Sequence, residues 1–213
     1  MLTLYAVPAS LYCAKARIVL RAKGLEWREL PPPGGYGSDT YRRLVPSGNL
    51  PALVHDGLLI ADSEAIAEYL DERFPTPPLL PDSAAGRARM RERGRFHDTR
   101  LEPELRRLFP QIAPARRDGA AVAVQAGAIQ SRLDQLGRML AAAPDLAFGL
   151  GDCGLPVTLA WIDALGPVLG LQPDLPAPVR DWRARIEAEP PVAAELASYR
   201  PVLAAWLERA ASA

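Results

Sequence analysis

The chain has 213 residues, which at ~100–200 residues per domain makes one large domain or two small ones with a proper core. Hydrophobic residues make up 49% and charged residues 23%, close to the soluble globular average, which sets aside disorder, collagen-like repeats and coiled coil. The 25 Lys plus Arg balance 25 Asp plus Glu, so no basic surplus points to nucleic acid, and two cysteines and two histidines make neither a disulfide framework nor a metal cluster. The composition is unusual in its 22 prolines, roughly twice average usage.

Leu2 to Ala6 alternates as a strand does, and Leu11 to Lys23 carries Ala14, Ile18, Val19 and Ala22 at helical spacing before a stop at Gly24. Glu26 to Leu30 fits a second strand, and Pro31 to Gly35 must be loop. A short helix is expected over Asp39 to Leu44 with Asp39 as its cap. Ala52 to His55 and Leu58 to Ile60 flank Asp56-Gly57, a hairpin with type I′ turn chemistry, and Asp62 or Ser63 then caps a helix through Leu70. Pro75, Pro77, Pro78 and Pro81 make a rigid connector suited to a domain boundary.

Beyond it the pattern is helical only. One long stretch is expected over Ser83 to about Ile112, with Pro103 and Pro110 as kinks or ends, a second over Asp118 to Ala143 and a third over Val157 to Leu171. Shorter segments start at Pro178 and Pro201. The best membrane-span candidate, Val157 to Leu171, carries Asp163 and Pro167, and no positive charge precedes Lys15 as a secretory signal requires. The expectation is a reducing, cytoplasmic setting with neither a membrane nor a nucleic-acid partner.

Ser10-Leu11-Tyr12-Cys13, between a strand and a helix, resembles the Cys-Pro-Tyr-Cys redox motif of glutaredoxins with serine in first place. Pro46 to Leu53, Asp56-Gly57, and Asp62-Ser63-Glu64-Ala65-Ile66-Ala67-Glu68-Tyr69-Leu70 resemble the glutathione-binding half of the cytosolic glutathione transferases, which runs NP-x-G-K-V-P-x-L, a hairpin, then E-S-x-A-I-x-x-Y-L. The combined pattern is specific where any fragment alone is weak. The resemblance implies a thioredoxin-like α/β domain of βαβ-ββα order over 1–76 and an all-α domain over 83–213. It implies glutathione as co-substrate, an electrophilic hydrophobic second substrate between the domains, a two-fold homodimer and a role in detoxification.

The resemblance to the serine-using classes places the catalytic hydroxyl at Ser10. Holding glutathione as thiolate at neutral pH means lowering a pKa of ~8.5 by about two units, roughly 2.7 kcal/mol of preference for the anion. A hydrogen bond to a charged sulfur contributes about 1.5–3 kcal/mol and a helix N-terminus roughly 0.3–1, so one hydroxyl opening a helix is sufficient. By the same resemblance Leu50-Pro51 is a cis peptide whose Leu50 backbone pairs with the cysteinyl part of glutathione like an added strand. Ser63 takes the γ-glutamyl carboxylate at a helix N-terminus, Asp62 the ammonium, and Asn49 stands where the family often has Lys or Gln for the glycyl end.

Some residues carry a plainer reading. Ser10 and Asp62 can be simple helix caps, Tyr5 a strand-packing residue, and Cys13 a buried structural thiol. Thr158 is expected to cap a helix that has Trp161 where the family has an acid. Arg87, Arg89, Arg91, Arg93, Arg95 and Arg100 read as a solvated helix face with one or two members at a dimer contact or the substrate, and His97 and Phe96 as packing residues. The competing functions are another glutathione-dependent reaction (isomerase, dehalogenase, peroxidase or thiol transferase) and a non-catalytic adaptor of the same fold.

Overall fold

The computed structural model describes residues 1–212. Its first part holds β1 (Leu2–Tyr5), α1 (Leu11–Ala22), β2 (Trp27–Leu30), α2 (Asp39–Leu44), β3 (Ala52–His55), β4 (Leu58–Ile60) and α3 (Ser63–Arg73). The strands form one mixed sheet in the order β2-β1-β3-β4. β1 runs parallel to β2, with Leu2 opposite Trp27, and antiparallel to β3, with Leu4 opposite Leu53. The β3–β4 turn places Asp56 at φ 49° and Gly57 at φ 86°, the left-handed pair that a two-residue I′ turn demands. This is the thioredoxin-like arrangement the sequence pattern implies.

After Arg73 the chain is helical: α4 (Ala84–Phe96), α5 (Glu102–Arg106), α6 (Gly119–Ala141), α7 (Leu155–Leu169), α8 (Ala177–Glu187) and α9 (Pro190–Ala211), with short 3₁₀ turns between. Helix α1 joins the two parts, packing on α3 on one side and on α7 and α9 on the other. It is therefore buried nearly all round, Lys15 and Arg17 included. The connector is pinned as well: Leu79 is buried, its carbonyl accepts from the Leu150 N–H at 3.0 Å, and its own N–H donates to Asp71 at 2.9 Å.

Four expectations need correction. Helix α2 is capped by Ser38, whose Oγ accepts from the Tyr41 N–H at 3.1 Å while donating to the Pro33 carbonyl at 2.8 Å; Asp39 instead adds its charge to the first turn. The long stretch after Ser83 is continuously helical only to Arg106, passing through a π-helical turn over His97–Leu101 just ahead of Pro103, and Pro110 falls in a separate 3₁₀ turn over Phe109–Gln111. Thr158 lies inside α7, one turn past its start at Leu155, and its hydroxyl meets His97 Nε2 at 2.7 Å. Pro201 interrupts nothing: Val192, Leu196, Tyr199, Leu203 and Leu207 keep one buried stripe along all of α9, and that packing outweighs the single backbone bond proline removes.

The run Leu150–Leu169 reaches 20 residues at mean hydropathy 1.2, long and apolar enough by composition to cross a bilayer. Most of it is buried, with α7 packed against α1, α5, α8 and α9.

Candidate functional site

A cleft of about 740 Å³ separates the sheet-bearing part from the helical part. Ser10, Asn49, Leu50, Pro51, Asp62 and Ser63 all line it, although three separate stretches of sequence supply them. The sheet topology is the reason. With β1 beside β3, the loop after β1 and the turn before β3 emerge at one edge, and the α3 N-terminus follows the hairpin back to the same place.

Ser10 is the N-cap of α1, in extended conformation at ψ 125°, with Oγ accepting from the Cys13 N–H at 3.3 Å. Because that bond uses an oxygen lone pair, the hydroxyl hydrogen remains for an anion in the cleft, beside the unpaired N–H groups of the helix end. The two readings of Ser10, cap and site, are thus compatible. Cys13 is fully buried, does not line the cleft, and has its thiol pKa pushed up by burial, the opposite of a reactive cysteine.

The Leu50–Pro51 peptide is cis and both residues are buried. The backbone ahead of it is held by the Tyr41 hydroxyl, which donates to the Asn49 carbonyl at 2.8 Å. Asn49 itself is exposed at the rim. Tyr5 lies against Tyr41, ring centroids 6.2 Å apart, and is not a cleft residue. At the other end Asp62 caps α3, one carboxylate oxygen accepting from the N–H groups of Glu64 and Ala65 at 2.9 Å each. Its second oxygen is left for another donor, and buried Ser63 follows at the first helical position.

The facing wall is aromatic. Phe109 stacks on Trp161 with centroids 4.6 Å apart, and Trp206 meets Trp161 edge-on at 5.3 Å. Arg106 lies over the rings of both Tyr12 and Phe109. The Tyr12 hydroxyl donates to buried Glu102 at 3.1 Å, and burial together with that carboxylate pushes its pKa upward, so it stays protonated. Arg95, Asp98 and Thr99 complete this side.

Beneath the cleft floor runs a buried polar network. Lys15, 1% exposed, donates to Glu64 at 2.6 Å and to both Asp98 oxygens at 2.8 and 3.1 Å, and Asp98 in turn meets His97 Nδ1 at 2.7 Å. It ties α1, α3 and the π turn together just where Asp98 and Thr99 reach the cleft. In the arginine series Arg89, Arg91, Arg95 and Arg100 are exposed as a solvated face requires, Arg91 holding Glu68 through two bonds at 2.7 and 2.9 Å and Arg95 lining the cleft; Arg93 alone of the six is buried, against Asp152 at 2.6 Å.

Sequence reasoning missed Tyr12, Asp98, Arg106, Phe109 and Trp206 as cleft residues and passed over Lys15. Only Lys15 carried a signal, as one of two lysines in the chain, set inside a helix whose neighbours are apolar.

The glutathione S-transferase N-terminal domain family matches residues 4–78. A stringent starvation protein A homolog of Coxiella burnetii is 37% identical over 110 residues, 49% of this chain and 53% of that one. A maleylacetoacetate isomerase of Pseudomonas aeruginosa is 40% identical over 94 residues, 41% and 44% of the two chains. The matches with curated relatives thus span about half of those proteins' length. Over nearly the whole chain, the theta class glutathione S-transferase of Xanthomonas axonopodis pv. citri, solved with glutathione bound, superposes with a TM-score of 0.79 at 25% identity, covering 95% of this chain and 98% of that one.

Proposed function

We propose, because the chain belongs to the cytosolic glutathione S-transferase superfamily, that it binds glutathione in the cleft, holds its sulfur as thiolate with Ser10, and directs it at an electrophilic hydrophobic second substrate. The observation that carries this reading is the convergence of Ser10, the Asn49–Leu50–Pro51 turn and Asp62–Ser63 on one cleft opposite an aromatic wall.

The parts divide the tripeptide among them. The α3 N-terminus with Ser63 receives the γ-glutamyl carboxylate, the free oxygen of Asp62 the ammonium, and the Leu50 backbone the cysteinyl amide, which leaves the thiol at Ser10. The hydroxyl then donates to the sulfur. The preference for the anion grows because the aromatic wall keeps water from competing for that bond. Asn49 is placed for the glycyl end. Homodimerisation, a cytoplasmic setting and a detoxifying role belong to the same proposal, supported by the family, and sedimentation velocity tests the first.

The relatives favour a second reading in two forms: an isomerase, in which the same thiolate adds to an unsaturated substrate and leaves again, and a non-catalytic adaptor. Isothermal calorimetry with glutathione separates the adaptor, which predicts no binding at millimolar concentration. Ser10→Ala separates the rest from a cysteine mechanism: turnover should fall by about a hundredfold with little loss of glutathione affinity, the equivalent of two pKa units. Unchanged turnover in Ser10→Ala would remove Ser10 from the reaction.

A further inference from the structure

Ser10 is positioned not only by its own helix. The loop that carries it, Val7 to Ala9, is held from behind by the helical part of the chain. The Tyr199 hydroxyl, on α9, donates to the Ala9 carbonyl at 2.8 Å and accepts from the Trp161 indole N–H at 2.6 Å. Alongside, Arg17 donates to the Pro8 carbonyl at 3.2 Å and to Glu195 of α9 at 2.7 Å. Tyr199 is 2% exposed and Glu195 1%, so water cannot replace either partner.

We infer that Tyr199 is a positioning residue for Ser10: the Trp161 N–H to Tyr199 O–H to Ala9 C=O chain fixes the backbone one residue before the serine and so sets where its hydroxyl meets the sulfur. The inference rests on the proposed role of Ser10. The direction of the chain supports it. Each donor has one acceptor, the tyrosine hydroxyl uses its single hydrogen on the loop, and successive bonds of this kind polarise and strengthen one another. Trp161 is both the head of this chain and a stacked member of the cleft wall, with Phe109 4.6 Å away, so the wall facing the second substrate and the loop bearing the serine share one rigid support. A displacement of a few tenths of an ångström in that loop would lengthen a hydrogen bond to sulfur, whose strength depends on distance and alignment.

The test compares Tyr199→Phe, Trp161→Phe and Ser10→Ala with the native protein, reading the ionisation of bound glutathione from the ultraviolet absorbance of its thiolate against pH, with glutathione affinity by calorimetry. Tyr199→Phe keeps the ring and loses only the hydroxyl. We expect the bound thiol pKa to rise by about half a unit to one unit, and kcat/KM below it to fall about three- to tenfold, with glutathione affinity unchanged. Trp161→Phe, which removes the N–H but leaves the tyrosine bond to Ala9, should shift it the same way by less. A native thiol pKa in Tyr199→Phe, while Ser10→Ala raises it, overturns the inference and leaves the Ser10 reading standing. A native pKa in Ser10→Ala defeats that reading itself. Should Tyr199→Phe not fold, Trp161→Phe decides, and a native pKa there overturns the inference.

Discussion

Lys15 Nζ lies 2.8 Å from Asp98 Oδ2, an ion pair between the helix that follows Ser10 and the π turn on the far side of the cleft. Burial alone would raise the Asp98 carboxyl, but the hydrogen bond with His97 and the charge of Lys15 outweigh it and hold the pKa at about 2. A folded-state pKa below the unfolded one contributes stability that is present above about pH 4 and lost as the pH falls towards 2. The shift is worth on the order of 2 kcal/mol, since each pKa unit is about 1.4. Asp98→Asn should therefore flatten the acid limb of stability in that window, measured by urea unfolding at a series of pH values. An acid limb identical to the native one would mean that other carboxylates carry it.

Arg93 and Asp152 make a second buried pair, 3% and 0% exposed, with Asp152 also accepting from the Trp182 indole at 3.1 Å and the Gly149 N–H at 3.0 Å. Burial pushes the Asp152 carboxyl upward even against the pull of Arg93, which shows how much solvation the site gives up. Removing one partner strands the other. Arg93→Ala should cost about 3–5 kcal/mol, lowering Tm by roughly 6–20 °C at 2–4 °C per kcal/mol. The double change Arg93→Met with Asp152→Asn should lose less, because it removes both charges and keeps an amide oxygen to accept from the Trp182 indole. Scanning calorimetry gives both numbers, and a double variant as unstable as the single would refute the desolvation argument.

The aromatic wall should serve the second substrate and not glutathione. Trp206→Ala takes one ring out of the cleft lining, and an aromatic contact with an apolar electrophile there is worth about 0.5–1.5 kcal/mol beyond the area it buries, so KM for that electrophile should rise about three- to tenfold. Glutathione affinity should stay at the native value. Steady-state kinetics with each substrate varied in turn makes the distinction, and a matching loss of glutathione affinity would show that the two subsites are not separate.

The sheet-bearing part was legible because its signals are local. Asp56-Gly57 can hardly be anything but a turn, and a serine or aspartate opening an apolar run marks α1 and α3 within a residue or so. The helical part misled where a local rule met a tertiary one. Pro201 reads as a helix start, yet the stripe from Val192 to Leu207 holds one helix across it. Thr158 reads as a cap, yet Pro156 lets α7 open at Leu155 and frees the threonine hydroxyl for His97. The cleft residues of the far wall, from Arg95 to Trp206, come from helices α4, α5, α7 and α9, from the π turn and from the 3₁₀ turn that holds Phe109, and no short motif encodes which face of each helix turns inward. Asp152 is the clearest case: its partners Arg93 and Trp182 stand 59 and 30 positions away.

Asp62 holds two roles that a pair of substitutions can separate. One carboxylate oxygen caps α3 through the N–H groups of Glu64 and Ala65, and the proposed ligand contact needs the negative charge and the other oxygen. Asparagine caps about as well as aspartate, since its amide oxygen accepts the same bonds, but it brings no charge to an ammonium. Asp62→Asn should therefore keep native stability while weakening glutathione by about tenfold, the low end of what a charged hydrogen bond contributes. Asp62→Ala should lose that affinity and about 1 kcal/mol of stability besides. Glutathione calorimetry beside thermal unfolding reads the two effects independently. If asparagine binds glutathione as tightly as the native protein, Asp62 is a cap and nothing more, and the ammonium must find its partner elsewhere in the cleft, where Asp98 is the other carboxylate within the lining.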